Sequence, residues 1–183
     1  MGKVILQICT SLDGFITDQK GELDWIFKTS NEETNKYVVD LLDSSQVILL
    51  GRIMSREFLD YWPTHPDEIG ERINKLPKII FSKTLSTVEW PNVTVVSENI
   101  TEEINRLKQT HEKNLILYGG ANIVQTFVNL DLIDEYHLLI PPIILGNGLP
   151  LFKGLKDHHN LKLIKSQTTS MGVVILNYEP VRS

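Results

Sequence analysis

Cysteine is nearly absent: Cys9 is the only one in 183 residues. A lone thiol excludes an intramolecular disulfide, and without a C-x-x-C pair there is no residue set for zinc ligation or dithiol redox chemistry. A reducing cytoplasm is the expected compartment. No apolar run reaches the ~18 residues that a membrane span requires. Met1-Gly2-Lys3 leads directly into a strand-like stretch, without the apolar core and small-residue cleavage site of a secretory signal. Excess positive charge is missing as well. The 18 lysines and arginines are outnumbered by 23 acids, giving a net charge of -5, and they are scattered, which argues against nucleic acid or a membrane surface as partner. What is present is 42% hydrophobic residues, enough for one domain over residues 1–183 with one sizeable core and a small-molecule partner.

Val4-Ile5-Leu6-Gln7-Ile8-Cys9 is short, branched and almost wholly apolar, the pattern of a strand buried on both faces. It ends at the Asp13-Gly14 turn signal. Ser30-Asn31-Glu32-Glu33 has capping-box spacing, and Tyr37, Val38, Leu41 and Leu42 supply an apolar face, so a helix is predicted from about Asn31 to Asp43. Val47 to Leu50 is the next buried strand, broken by Gly51, with a short helix over Met54 to Leu59 ending before Pro63. Asp67 to Leu76 reads as a helix and Lys78 to Phe81 as a strand, with another at Val93 to Val96. Thr101 can cap a helix to about Thr110, its Glu102 and Glu103 opposing the positive end of the helix dipole. Leu115 to Tyr118 is a strand, Gly119-Gly120 a turn, and Ile123, Val124, Phe127 and Val128 a buried helical stripe. Helices then cease. A long strand-like run from Glu135 to Leu145, a Gly146-Asn147-Gly148 turn, and strands near Leu161–Lys165 and Val173–Tyr178 close the chain. The expectation is an α/β fold whose central sheet is mixed and mostly parallel, with helices on both faces and antiparallel C-terminal strands.

Two strand-glycine-helix junctions, Leu50-Gly51-Arg52 and Tyr118-Gly119-Gly120-Ala121, can each aim free backbone N–H groups at a phosphate. Two such mouths suit a dinucleotide, although either glycine set alone equally suits a tight turn. The G-x-G-x-x-G fingerprint is absent, so a dinucleotide would bind by another route.

Five segments in order, Ser11-Leu12-Asp13-Gly14, Leu49-Leu50-Gly51-Arg52, Ile80-Phe81-Ser82-Lys83-Thr84-Leu85, Tyr118-Gly119-Gly120-Ala121-Asn122 and Pro142-Ile143-Ile144-Leu145-Gly146-Asn147-Gly148-Leu149-Pro150-Leu151-Phe152, resemble the dihydrofolate-reductase-like proteins. Within that family the chain resembles the reductase domain of riboflavin biosynthesis, the C-terminal domain of the bifunctional deaminase-reductase, and its stand-alone relatives. The resemblance implies an NADPH-dependent reductase. It places Gly51, Arg52, Ser82 and Lys83 at the adenosine side of the cofactor and Gly119, Gly120, Ala121, Asn122, Ile123 and Val124 around its pyrophosphate. It also carries Ser11 and Asp13 over to the substrate and nicotinamide end, with Asp13 in both a catalytic and a substrate-binding role. Trp25 is the aromatic candidate for a substrate wall, against the alternative of a core plug.

Two branches of the family differ from this chain in informative ways. Dihydrofolate reductases carry an acid on the first helix where this chain reads Thr34-Asn35-Lys36-Tyr37; Glu33 and Asp40 are the neighbouring carboxylates. The riboflavin branch carries basic residues for a ribosyl phosphate and a Thr-x-x-x-Asp-x-Pro segment where this chain has Met54-Ser55-Arg56-Glu57-Phe58. The implied reaction is hydride transfer to a small heterocyclic or ribosylated substrate, most like that of 5-amino-6-(5-phosphoribosylamino)uracil reductase. Dihydrofolate reduction and a non-catalytic nucleotide- or flavin-binding module remain the alternatives. His158-His159 lacks a third ligand at useful spacing, so no metal is expected, and His65 reads as a loop residue. The apolar run Leu138 to Leu145, read as an exposed outer strand, predicts a homodimer.

Overall fold

The computed structural model describes residues 2–110 and 112–182. In chain order these form β1 (Val4–Cys9), β2 (Phe15–Thr17), α1 (Asp24–Phe27), α2 (Glu32–Asp43), β3 (Ser45–Gly51), α3 (Arg52–Tyr61), a 3-10 turn (Trp62–Thr64), α4 (Glu68–Lys75), β4 (Lys78–Phe81), β5 (Val93–Val96) and α5 (Ile100–Thr110). Then follow β6 (Asn114–Gly119), α6 (Ala121–Asn129), β7 (Glu135–Ile140), β8 (Leu149–Pro150), β9 (Leu161–Thr168) and β10 (Val174–Pro180). Eight strands make one sheet in the order β5-β4-β3-β6-β1-β7-β10-β9, and β2 pairs with β8 apart from it. All pairings from β5 to β7 are parallel. β10 is antiparallel to both of its neighbours. The expected mixed, mostly parallel α/β sheet is therefore observed.

Side chains alternate across each strand, so one sequence feeds two cores. Val4, Leu6, Val47, Leu49, Leu115 and Leu117 pack on one face against Ile104, Leu107, Val124 and Phe127 of α5 and α6. Ile5, Ile48, Leu50 and Ile116 pack on the other against Leu41, Leu42, Leu59 and Ile73 of α2, α3 and α4. The unbroken apolar runs of β1, β3 and β6 thus reflect burial on both faces.

Three local expectations change. The box at the start of α2 is built by Asn31 and Thr34, one residue beyond Ser30 and Glu33, because Glu33 turns outward and its Oε2 accepts from the backbone N–H of Ser170 at 2.7 Å. Helix α5 begins at Ile100, before Thr101. The run from Glu135 leaves the sheet at Ile140, where Pro141 and Pro142 can donate no ladder hydrogen bond. That run is also interior, since β7 lies between β1 and β10. The outer strand on this side of the sheet is β9, where Leu163 and Ile164 are about half exposed.

Candidate functional site

The C-terminal ends of the parallel strands open into one cleft of about 2420 Å3. Its centre is set by topology. β3 and β6 are neighbours, yet α3 leaves β3 on one face of the sheet and α6 leaves β6 on the other. Such a divergence makes a crevice at the strand ends, the usual ligand position in open α/β sheets. The two helix starts meet across it. A Cβ on Gly51 would come within 2.9 Å of Ile123 Cγ2, and one on Gly120 would lie 3.9 Å from Met54 Cβ. Glycine at 51 is what lets α3 and α6 begin side by side.

Capping separates these two helices from α2 and α4. α2 and α4 have their first N–H groups satisfied by Asn31 and Asp67, whereas α3 and α6 start at Gly51 and Gly120 with no side-chain cap. Neither first turn carries an acid. Orphan N–H groups and the positive ends of two helix dipoles therefore face the same crevice, which is an anion site in its chemistry. Ser82 follows β4 and its Oγ accepts from the N–H groups of Thr84 and Leu85 at 3.2 and 2.9 Å, which turns the chain so that Lys83 borders the cleft. Gly51 lies opposite Phe81, so Arg52 and Lys83 emerge at one end of the opening. Both are exposed and line the cleft. Glu98, beyond β5, lines the same end.

A polar row crosses the apolar sheet beneath α2. Gln7 is opposite His137 on β7, and His137 is opposite Asn177 on β10. Tyr37 of α2 ties the row together: its Oη lies 2.7 Å from His137 Nδ1 and donates to Asn177 Oδ1 at 2.8 Å. His137 Nε2 lies 2.8 Å from Glu135 Oε2. With Lys3 also bonded to it, the Glu135 carboxyl is held down at about 2, the His137 hydrogen bond being the largest cause and burial opposing it. On the other side of Gln7 stands Tyr118, since Leu6 is opposite Leu117. Gln7 and Tyr118 both line the cleft floor, and Gln7 Oε1 and Tyr118 Oη are buried without a hydrogen-bond partner among the described residues. Between them and the mouth sits Cys9, whose thiol is pushed up to about 12 by burial and stays protonated.

Of the residues singled out in the sequence, Gly51, Arg52, Ser82, Lys83, Gly120, Ala121, Asn122 and Ile123 are gathered along this cleft. Val124 is fully buried behind it. Gly119 turns the chain at φ 99° and also lies outside the lining. Asp13 and Ser11 stand apart from the lining too. Both Asp13 oxygens are engaged: Oδ1 accepts from Ser11 Oγ at 2.7 Å and Leu145 N at 3.1 Å, and Oδ2 from Gly146 N at 2.7 Å. These bonds, Ser11 first, hold the carboxyl below the usual range. Their effect is to fasten the segment that carries Asn147, Gly148 and Leu149 into the cleft wall. Trp25 is the inward plug of α1, 6% exposed, while its neighbours Asp24, Ile26 and Phe27 face the cleft. Glu33 is occupied with Ser170 and Asp40 with Lys36, so neither substitutes for an acid on α2. His65 stacks on Tyr61 at 3.7 Å between ring centroids.

Comparison with known proteins agrees with this fold. Residues 2–175 match the family model of the RibD C-terminal domain. The Bacillus subtilis protein YyaP, described as uncharacterized, is 35% identical over 181 residues, covering 96% of this chain and 94% of YyaP. YwjB of the same organism, also described as uncharacterized, is 30% identical over 161 residues, 88% of each chain. A crystal structure from Shewanella sp. PV-4, named for riboflavin biosynthesis, superposes with a TM-score of 0.85 at 28% identity over 98% of this chain and 99% of that one. The fold also matches a Thermotoga maritima deaminase and 5-amino-6-(5-phosphoribosylamino)uracil reductase, with a TM-score of 0.75 and 18% identity, over 98% of this chain and 57% of the longer protein.

Proposed function

The chain belongs to the RibD C-terminal domain family, and from that premise we propose that it is a cytoplasmic NADPH-dependent reductase acting on a small heterocyclic substrate. The observation that carries this reading is the pair of uncapped helix starts, α3 and α6, meeting at the strand-end crevice with Arg52 and Lys83 beside them. Two anion-binding turns one helix start apart suit a pyrophosphate, and cations at the outer end suit a ribose phosphate. The cleft exceeds the ~300–1,000 Å3 of a site for one drug-sized ligand, which leaves room for a dinucleotide and a second molecule.

When bound, a reduced nicotinamide supplies the hydride and leaves oxidised. The chain's own part is orientation and exclusion of water. Val38, Phe58, Leu139 and Val173 give the substrate end apolar walls, and Asp13 with Ser11 acts at one remove by holding the wall segment that follows Gly146. Thr34 and Asn35 stand on α2 where a dihydrofolate reductase has its acid, so the balancing proton comes from solvent and folate reduction is disfavoured. The named activity of the Thermotoga protein supplies the reaction class, reduction of a ribosylamino-pyrimidine or a similar ring.

The test is titration with NADPH followed by mixing with candidate acceptors. Saturable binding with loss of nicotinamide absorbance on adding a flavin precursor supports the reading. Loss only with dihydrofolate supports the folate alternative, and binding without loss supports a non-catalytic module. Failure to bind NADPH refutes the proposal.

A further inference from the structure

Gln7 is a strongly polar residue in a strand whose other members are apolar or thiol, and it is 4% exposed. Buried amide and hydroxyl groups are ordinarily hydrogen-bonded, and an orphan destabilises the fold that holds it. Here two orphans, Gln7 Oε1 and Tyr118 Oη, stand on adjacent strands of the same cleft floor. The neighbouring His137, Tyr37 and Asn177 satisfy one another, so local crowding is not the reason. Resting on the reductase reading above, we propose that Gln7 and Tyr118 are the recognition pair for the reducible substrate, which is a flat, uncharged ring with an amide or imide edge and no phosphate.

The chemistry of the edge follows from the side chains. A glutamine amide presents one acceptor and an N–H donor in a plane, and the complement of that plane is a ring C=O beside a ring N–H. The match holds for either orientation of the amide. The tyrosine hydroxyl adds a group that can donate to a further ring carbonyl or accept from a ring N–H. Apolar Val38, Phe58 and Leu139 around the pair suit the faces of a planar ring and offer no partner for a charge.

The absence of phosphate follows from the wall above. The segment from Ile16 to Phe27 lines the substrate side with Asp18, Glu22 and Asp24 against one base, Lys20. Arg52 and Lys83 lie at the opposite end, beyond β3 and β4. A doubly charged phosphate on the substrate would face like charge, whereas a neutral ribityl or ribosyl chain would meet hydrogen-bond acceptors.

Riboflavin and its 5′-phosphate, FMN, are a matched pair of probes, since both carry the imide edge and only one carries the phosphate. Binding is followed by flavin fluorescence on protein saturated with NADP+, for wild type, Gln7→Leu and Tyr118→Phe. We expect riboflavin to bind at least tenfold tighter than FMN, and each substitution to weaken riboflavin at least fivefold while the NADP+ dissociation constant stays within twofold. The melting temperature of Tyr118→Phe should be equal to or above that of wild type, because the change deletes an unpartnered buried hydroxyl. FMN binding as tightly as riboflavin overturns the absence of phosphate. No binding of either flavin, or unchanged riboflavin affinity in both variants, overturns the recognition pair. Loss of NADP+ binding by the wild type would instead count against the cofactor reading, and the two failures are therefore separate.

Discussion

Removing Arg52 or Lys83 should cost NADPH binding and leave NADH binding nearly untouched. NADPH differs from NADH by a phosphate on the adenosine ribose, and these two cations are the ones that border the cleft beyond β3 and β4. A hydrogen bond to a charged group contributes roughly 1.5–3 kcal/mol when well sheltered. Both side chains are exposed, so solvent screening takes the value toward the lower end. A loss of about 1.4 kcal/mol, or about tenfold in Kd, is then expected for Arg52→Ala or Lys83→Ala. Because both would hold one phosphate, the double variant should lose less than the sum of the singles. Glu98 borders the same end, and its repulsion of the phosphate predicts that Glu98→Gln tightens NADPH by a few-fold. The preference should shrink in 1 M salt, where the Debye length falls to about 3 Å. Titration of each variant with both nucleotides, followed by nicotinamide fluorescence, gives all the numbers. Equal affinities for NADH and NADPH in the wild type, or equal losses of both in the variants, would refute the assignment.

Asp13→Asn should leave NADPH affinity within a few-fold but speed amide exchange at Leu145 and Gly146, because the two N–H groups lose a charged acceptor; unchanged exchange would show that the carboxylate does not hold the wall. Glu135 has its folded-state carboxyl lowered from about 4.5 to about 2, so its stabilisation is present above pH 4.5 and lost as the pH falls toward 2. The stability gap between wild type and Glu135→Gln, by urea denaturation, should be on the order of 3 kcal/mol at pH 6 and close across that window; a gap independent of pH would sink this account. Light scattering at micromolar concentration should give twice the chain mass, with Ile164→Lys restoring the monomer if the β9 edge is the contact. A wild-type monomer mass would end the dimer reading.

The parallel strands and the two strand-glycine-helix junctions were legible because their signals are local. Gly51-Arg52 and Gly119-Gly120 each sit where an apolar run gives way to a helical stripe, and folding only had to bring the two together. What was not legible depends on distance along the chain. Tyr37, His137 and Asn177 are far apart in sequence and individually unremarkable, and only the pairing of β7 with β1 and β10 puts them in one row. Gln7 did carry a signal, a polar residue amid a doubly buried strand, which the apolar character of its neighbours masked. Asp13 is a different case. Its place in Ser11-Leu12-Asp13-Gly14 pointed to the substrate, yet both oxygens are taken by groups that include the backbone of Leu145 and Gly146. Trp25 is the core plug of its helix, 6% exposed, because successive residues of an α-helix are turned by about 100° and spacing alone does not say which of them the core takes.

The polar row also bears on how the last strand finds its place. β10 is added to a parallel sheet from the opposite direction, and its Val174, Ile175 and Leu176 could interchange against the apolar residues of β7 at modest cost. Asn177 cannot. A slip of one residue would carry it to the other face of the sheet, away from Tyr37, and take from the tyrosine hydroxyl the amide oxygen to which it donates. The ladder with β9 breaks step directly after this residue, between Asn177 and Tyr178, so the irregularity is absorbed on the solvent edge while the pairing with β7 stays in step. Asn177 thus acts as the indexing pin of the C-terminal hairpin, and Asn177→Leu, which suits the strand and the core equally well, should yield a protein with more than one alignment of its final strand.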